Sequence, residues 1–384
     1  MARPATDEAD EGHECEGDEH AAESGRHRRE HILFVSSAPG RVPEACSRFG
    51  TVRVVSRETL VILNPASAGG GTGRRSEALR HRIESICGPA HFVSTGAPGD
   101  AIRIAQAATE RGVGRILVAG GDGTTSEVVS GVLSALGSDS FAVATTGTGS
   151  ARETASQRPL LGLLPLGSGW DLARSLGLPR SLDEALAVIE AGEWRSIDAG
   201  RVEYSDGFGN RCARHFANEV GVGLSASAVC LVGRTSKRLG ARMGFIIGAV
   251  GAILSHRTLD VAVEIDGKRV HDGPVSMVVA ANGAFFGAGM RVAPGAVIDD
   301  GQLEIVLVRG LGVPRLLANL PSLYLGRHGR HPKVSFHAAR TLCVIAKGGS
   351  PPIDVDGEAL GGLPLRAEVL PGALRVLVPC GSGR

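Results

Sequence analysis

The sequence predicts an α/β domain with a parallel sheet, followed by a second, mainly β domain. From Leu60 onward, short apolar runs alternate with segments of helical period, the pattern of βαβ units. Two of those runs end in glycine turns that open helices, at Gly120-Gly121-Asp122-Gly123-Thr124 and at Leu166-Gly167-Ser168-Gly169. Beyond Arg195 the texture changes to short strand-like segments and turns, broken by one helical stretch around residues 237–256.

Taken in order, residues 1–30 are acidic, rich in His and poor in large apolar side chains, so they cannot bury enough surface to fold. The spacing of His13, Cys15, His20 and His27 fits no compact zinc motif. With residues 31–57, to which the pattern assigns no role, they form an N-terminal extension. The α/β domain is expected over 58–195 and the β domain over 196–384. Leu60–Leu63 reads as a strand ending in Asn64-Pro65, with a helix over 74–86 after a glycine-rich turn. Phe92-Val93 reads as the next strand, ending near Thr95, with a helix over 100–111. Ile116–Ala119 is the central strand, and Val128, Val129, Val132 and Leu133 give the following segment its helical spacing.

Residues 137–158 are rich in Ser, Thr, Gly and Ala and read as an insertion. Leu160–Leu164 resumes the sheet, and Ser181 with Glu184 forms a capping box before a helix ending near Ala191. The run Met243–Leu254, too short to span a bilayer, reads as a buried helix, with contact to lipid as the alternative. Gly221-x-Gly223-x-x-Ala226 mimics a dinucleotide fingerprint but lacks the acidic residue about twenty positions later. Asp-Gly pairs at Asp300 and Asp356 suit hairpin turns.

Composition narrows the function. With 384 residues and 43% hydrophobic content, two cores of ordinary size can be filled. Seven scattered cysteines without a CxxC pair suit reduced thiols in the cytoplasm, and no signal peptide is expected. The net charge of +1 conceals an asymmetry: outside residues 1–30, 37 basic residues face 30 acidic ones, a balance of +7 that favours anionic partners. All four lysines lie at or beyond Lys237, which excludes a P-loop or a protein-kinase lysine near the first strands.

The glycine turn at Gly120, Gly121, Asp122, Gly123 and Thr124 is the main chemical signal. Glycines let backbone approach a ligand, and a following helix offers unpaired N–H groups to an anion. A carboxylate inside such a turn is unfavourable unless a divalent cation or proton transfer is part of the design. The turn therefore points to a nucleotide with Mg²⁺. Ligands of a parallel sheet collect at the carboxyl ends of its strands, which places Asn64, Thr95, the Asp122 turn and Asp171 on one rim.

Six stretches in this order resemble the bacterial diacylglycerol kinases and YegS-like lipid kinases: Asn64-Pro-Ala-Ser-Ala-Gly, Gly120-Gly-Asp-Gly-Thr, Pro165-Leu-Gly-Ser-Gly-x-Asp, Phe216-Ala-Asn-Glu-Val-Gly-Val-Gly, Asp300-Gly-Gln-Leu and Asp356-Gly-Glu. The likeness covers residues 60–379. That family shares its catalytic domain with sphingosine and ceramide kinases and, more distantly, with NAD kinases.

The resemblance implies a Rossmann-like α/β nucleotide domain, a C-terminal β-sandwich, and an active site in the interdomain cleft that uses ATP and Mg²⁺. It assigns nucleotide contacts to Asn64, Thr95, Gly120, Gly121, Asp122, Gly123, Thr124, Glu127, Gly167 and Ser168. It groups Asp122, Asp171 and Asp198 around Mg²⁺, and places a second, structural Mg²⁺ at Asp300 with carbonyls near Val297 and Gln302. Asp356, or Glu358, becomes the base that deprotonates the acceptor hydroxyl.

The implied acceptor is a membrane lipid, foremost diacylglycerol, met by peripheral contact at the inner membrane surface, with no nucleic-acid partner and a homodimer left open. Two positions depart from the family motif: Trp170 and Ser126 stand where Asn is usual. Loss of the amide at Trp170 is expected to disturb phosphate ordering or reshape the cleft. An NAD kinase-like enzyme and a non-catalytic nucleotide- or lipid-binding module are the alternative readings.

Overall fold

The computed structural model describes residues 58–137, 158–167, 169–232 and 241–380. The acidic extension with its His and Cys residues, most of the expected insertion, and Ser168 lie outside the described residues.

The first part of the chain follows the expected alternation. Strand β1 (Thr59–Leu63) leads through a helical segment α1 (Ser67–Arg74) into α2 (Ser76–Cys87). Then come β2 (Ala90–Ser94), α3 (Asp100–Glu110), β3 (Arg115–Gly120) and α4 (Asp122–Leu136). Strand β4 (Leu160–Pro165), α5 (Asp171–Ser175) and α6 (Leu182–Ala191) complete this half. Segment α1 is broken by left-handed backbone at Ala68, Gly69 and Gly70, so the glycine-rich turn is a tight loop and not a regular helix.

The four strands pair in parallel in the order β2-β1-β3-β4. Their apolar runs are continuous because both faces are covered. Leu60, Ile62, Ile116 and Val118 pack on one side with Val128 and Val132 of α4. Val61, Leu63, Leu117 and Ala119 pack on the other with Leu79 and Ile83 of α2. Gly131 brings α4 against α3, since a β-carbon there would lie 2.3 Å from the Ile102 carbonyl oxygen. Ser181 occupies the N-cap position of α6, but its side chain makes no cap hydrogen bond; the expected capping box does not form.

The second part is largely antiparallel: β5 (Trp194–Ser205), β6 (Arg211–Phe216), β7 (Glu219–Gly223), β8 (Leu259–Ile265), β9 (Lys268–Ala281) and β10 (Leu303–Arg309). Strands β11 (Val334–Ala339), β12 (Thr341–Ala346), β13 (Ile353–Val355), β14 (Glu358–Leu360) and β15 (Gly362–Leu377) follow. Alternate residues of β9 and β10 face two cores. Val278, Ala280, Leu303 and Ile305 turn inward between strands, as a sandwich requires. Met277, Val279, Val306 and Val308 turn to the opposite face, which carries Ile253 and Leu316.

Those two residues belong to helices α8 (Ala241–Leu254) and α9 (Val313–Tyr324). The helical stretch expected near residue 237 is preceded by a further helix, α7 (Leu224–Val232). Helix α8 is buried only on one side: Ala252 and Ile253 are covered, whereas Ile247 and Leu254, seven positions apart and on one face, are 44% and 62% exposed. The buried-helix expectation thus holds for half of its circumference. Strand β15 joins the two parts, pairing parallel with β4 and antiparallel with β5 and β12. The Gly221-x-Gly223 segment lies in β7, antiparallel to β9 and β13, which rules out a dinucleotide βαβ turn there.

Candidate active site

The register of the parallel sheet builds one rim. Leu63 pairs with Ser94 and Ala119, and Ala119 with Leu164, so the residues that follow these strands emerge side by side. Asn64 follows β1, its N–H donating to the Ala119 carbonyl at 3.0 Å. Its side-chain amide donates to Thr124 Oγ1 at 2.9 Å, and its Oδ1 accepts the Ala66 N–H at 3.0 Å. Asn64 therefore ties the first turn to the start of α4.

The two glycine turns meet backbone to backbone. A β-carbon on Gly167 would lie 2.2 Å from the Gly121 α-carbon, and one on Gly120 would lie 2.6 Å from Thr124 Oγ1. Both positions exclude any larger residue. Gly169 makes room in the same way for Asp122, whose Oδ2 lies 1.9 Å from where a β-carbon would stand.

Asp122 opens α4 and lines a cavity of about 670 Å³. Burial, with the charge of Asp171 second, raises its pKa to about 6; N–H donors of Asp171 and Trp170 oppose the rise. Asp171 meets Asp122 through its backbone, its N–H donating to Asp122 Oδ1 at 3.1 Å. Its own carboxylate is engaged elsewhere, by an ion pair with Arg174 and by the Ala288 N–H at 2.8 Å. Burial still pushes Asp171 above the ordinary range.

The far wall of the cavity comes from the β part. Val229, Cys230 and Val232 of α7 line it, with Asp356, Gly357, Glu358 and Ala359. Asp356 and Gly357 form the two-residue turn between β13 and β14, with φ of 50° and 83°, the left-handed pair that a tight hairpin requires. The Asp356 carboxylate accepts three backbone N–H groups, from Ala217 at 2.8 Å and from Asn218 and Glu219 at 2.9 Å each. Ala217 and Asn218 form the corner between β6 and β7. Burial raises Asp356, while the three N–H donors and the neighbouring Ser126 hydroxyl hold it down. Ser126 of α4 is buried beside Asp356.

Two further carboxylates stand behind Asp356. Glu219 and Asp354 are 3% and 2% exposed and hydrogen-bond each other. Burial first, then mutual charge, pushes Glu219 far up, and burial pushes Asp354 to about 7. Sequence reasoning assigns neither a role, although Glu219 lies in the Phe216-Ala-Asn-Glu stretch and Asp354 just before Asp356-Gly. Glu358 is held by Arg214 at 2.8 Å, and burial raises it despite that cation.

Thr95, Glu127 and Asp198 do not line the cavity. Thr95 follows β2 and donates its N–H to the Leu63 carbonyl at 2.9 Å, but it is not part of the cavity lining. Glu127 uses both carboxylate oxygens to accept the N–H groups of Gly99 and Ala101, at 3.0 and 3.1 Å; it caps α3. Asp198 lies against the loop after Ile298, its N–H donating to the Ile298 carbonyl at 2.8 Å. Its carboxylate accepts the N–H groups of Gly301 and Gly372, both at 2.7 Å, and its acidic neighbours are Asp300 and Asp299.

Asp198 therefore stands with the loop that carries Val297, Asp300 and Gln302, because β5 runs beside that loop. In the loop Asp300 Oδ1 accepts the Gln302 N–H at 2.9 Å, and Val297 is 48% exposed. Among the described residues no group of three or more His, Cys, Asp or Glu side chains is arranged to hold a metal by itself.

Contrary to one of the two expectations for it, Trp170 does not reshape the cavity with its side chain. Its side chain is 6% exposed and packs in the core with Leu172 and Leu176, its indole N–H reaching the Leu178 carbonyl at 3.4 Å. It does not enter the cavity. Its backbone is left-handed, with φ of 65°, a conformation that Asn tolerates and Trp adopts at a cost of roughly 1–2 kcal/mol.

The chain matches two family descriptions. Residues 58–202 match the diacylglycerol kinase catalytic domain, and residues 218–378 match the YegS C-terminal NAD kinase beta sandwich-like domain. A probable lipid kinase YegS-like from Chromohalobacter salexigens is 31% identical over 339 residues, covering 85% of this chain and 94% of that protein. The lipid kinase YegS of Escherichia coli K12 is 28% identical over 292 residues, covering 75% and 86%. Among solved structures, a putative diacylglycerol kinase from Bacillus anthracis has the same fold, with a TM-score of 0.65 at 21% identity over 85% of this chain and 99% of that one.

Proposed function

Since the chain belongs to the family of YegS-like lipid kinases, we propose that it transfers the γ-phosphoryl group of ATP, with Mg²⁺, to the hydroxyl of a membrane lipid, with diacylglycerol as acceptor and phosphatidic acid as product. The observation that supports this most is a single cavity lined by the Gly121–Thr124 turn, by Gly167 and Gly169, and by Asp356 and Glu358. Glycine backbone and the start of a helix suit phosphates, and a carboxylate opposite them suits an acceptor hydroxyl.

The residues fit the nucleotide and the metal. Gly121, Gly167 and Gly169 leave backbone open to a ligand, and Asn64 holds the turn that carries Thr124. Asp122 is a buried carboxylate crowded by the charges of Asp171 and Asp356, and oxygen ligands of this type suit Mg²⁺. Bound there, Mg²⁺ would neutralise charge on the transferring phosphate. Asp171 acts as a positioning group, since its carboxylate is committed to Arg174 and Ala288.

In this reading the acceptor oxygen forms a bond to the γ-phosphorus as the bond to the β–γ bridging oxygen breaks. ADP departs, and the hydroxyl proton passes to Asp356. Glu358, held by Arg214, is the alternative base. The domain division near residue 195, a cleft between the two parts as the active site, and a structural Mg²⁺ at Asp300 with the Val297 and Gln302 carbonyls are further parts of the proposal. So is peripheral work at the cytoplasmic side of a membrane. Among the described residues no helix is long and apolar enough to cross one. Sedimentation in solution decides whether the chain forms a homodimer.

The test offers diacylglycerol, sphingosine, ceramide and monoacylglycerol in mixed micelles, alongside NAD, and follows transfer of labelled phosphate from ATP. Transfer to diacylglycerol above the other acceptors is expected. Transfer to NAD alone would replace the proposal with an NAD kinase, and ATP binding without transfer to any acceptor would leave a non-catalytic module.

A further inference from the structure

Between Glu304 and Asp354 the chain has no acidic residue, yet it carries seven Lys and Arg. Of these seven, only Lys347 forms ion pairs with described residues, Asp260 and Asp272. Arg309, Arg315, Arg327, Arg330 and Lys333 are exposed. A run of unneutralised cations on a folded surface creates a local positive field that the overall charge of +1 hides.

The folding brings most of these charges to one face. Arg309 donates its N–H to the Lys333 carbonyl at 2.9 Å, and Arg330 donates its N–H to the Arg327 carbonyl at 3.2 Å. The next residue after Arg309, Gly310, lies against Thr258, 3.3 Å from where its β-carbon would be. That contact adds exposed Arg257, just beyond the end of α8, to the same region.

Large apolar side chains stand among the cations. Leu325 closes α9 and is 62% exposed, two residues before Arg327. Leu254 closes α8, which packs on α9, and is equally exposed, three residues before Arg257. Beneath these helices lies an apolar cavity of about 100 Å³, lined by Ile253, Leu316, Leu320 and Leu323, with Asp354 also in its wall. A nucleic acid would use the charge but not the leucines. A bilayer with anionic headgroups uses both.

We propose that the surface formed by the end of α8, the loop before α9 and the turn 325–333 is the face that docks on an anionic lipid bilayer, with Leu325 and Leu254 entering the headgroup layer. It rests on the lipid-kinase reading only in supposing that a bilayer is the relevant partner. The cavity beneath it leads toward Asp354, two residues from Asp356, so a lipid taken from the bilayer would approach the proposed base from this side.

The test is co-sedimentation of the full chain with vesicles of phosphatidylcholine, alone or with phosphatidylglycerol, at low and high salt. Wild type should bind the phosphatidylglycerol vesicles at least tenfold better and lose that preference at high salt. The triple variant Arg327→Glu/Arg330→Glu/Lys333→Glu should lose more than tenfold of its partition, and Leu325→Asp should lose several-fold. Arg211→Glu, on the β6 edge, should change nothing, and all unfolding temperatures should match wild type. Equal partition of the triple variant and wild type would overturn the proposal. So would wild-type binding to duplex DNA with no preference for phosphatidylglycerol. Because vesicle binding needs no turnover, a chain that phosphorylates no lipid but docks in this way would sink the kinase reading and leave the docking face standing.

Discussion

Gly167 stands so close to Gly121 that a β-carbon on it would fall 2.2 Å from the Gly121 α-carbon. Neither backbone can yield without moving the end of β3 or β4. Gly167→Ala should therefore lower stability by about 1–3 kcal/mol, the usual range for overpacking, and reduce phosphoryl transfer more than a hundredfold by parting the two turns. Thermal unfolding and a transfer assay check this; full activity in Gly167→Ala would mean the turns can separate freely.

Asp122→Asn removes one charge from the crowded wall of the cavity. Folding should be preserved, because Asn keeps an acceptor for the Asp171 N–H. Transfer should fall about a hundredfold, corresponding to ~3 kcal/mol of transition-state stabilisation. Unchanged turnover at saturating Mg²⁺ would remove Asp122 from the metal assignment.

Asp356 has two duties. In Asp356→Ala the N–H groups of Ala217, Asn218 and Glu219 lose their acceptor, so stability should drop by at least about 1–3 kcal/mol. As the proposed base it should also control kcat, with little change in the KM for ATP. Glu358→Gln should leave both nearly intact. Kinetics showing the larger kcat loss in Glu358→Gln would transfer the base to Glu358.

Asp354 links stability to pH. Its pKa rises from 3.8 to about 7 in the folded chain, chiefly through burial, so the native state keeps a proton that the unfolded chain releases. Stability from this group is full below pH 4 or so and is lost as pH rises through about 7. Asn resembles the protonated acid, and Asp354→Asn should unfold at a higher temperature than wild type at pH 8. The gap should close at pH 4. A lower unfolding temperature at pH 8 would show that Asp354 is held ionised.

A cation at the Asp300 loop should act on stability more than on chemistry. Mg²⁺ added without nucleotide is expected to raise the unfolding temperature of wild type and not of Asp300→Ala, with kcat in the variant within a few-fold of wild type. Equal shifts in both would count against a metal there.

Local chemistry made much of the molecule legible from the sequence. The run Ile116–Ala119 before Gly120, and Leu160–Leu164 before Leu166-Gly167, carry strand, turn and helix within a few residues, since backbone preference and hydrophobic period act over short range. The rim formed by Asn64, the Asp122 turn and Gly167 follows from parallel register, which strand order alone implies.

The meetings of distant side chains were decided only by tertiary structure. Glu219 faces Asp354 because β7 pairs antiparallel with β13, and Ser126 faces Asp356 because α4 abuts that corner. Asp198 joins the Asp300 loop because its β5 strand passes there, although in sequence it is nearer to Asp171. Glu127 is spent on the N-terminus of α3, and Trp170 turns into the core and away from the cavity. In each case the side chain's identity states what it can do, while its partner depends on contacts between segments far apart in the chain, which no local preference encodes.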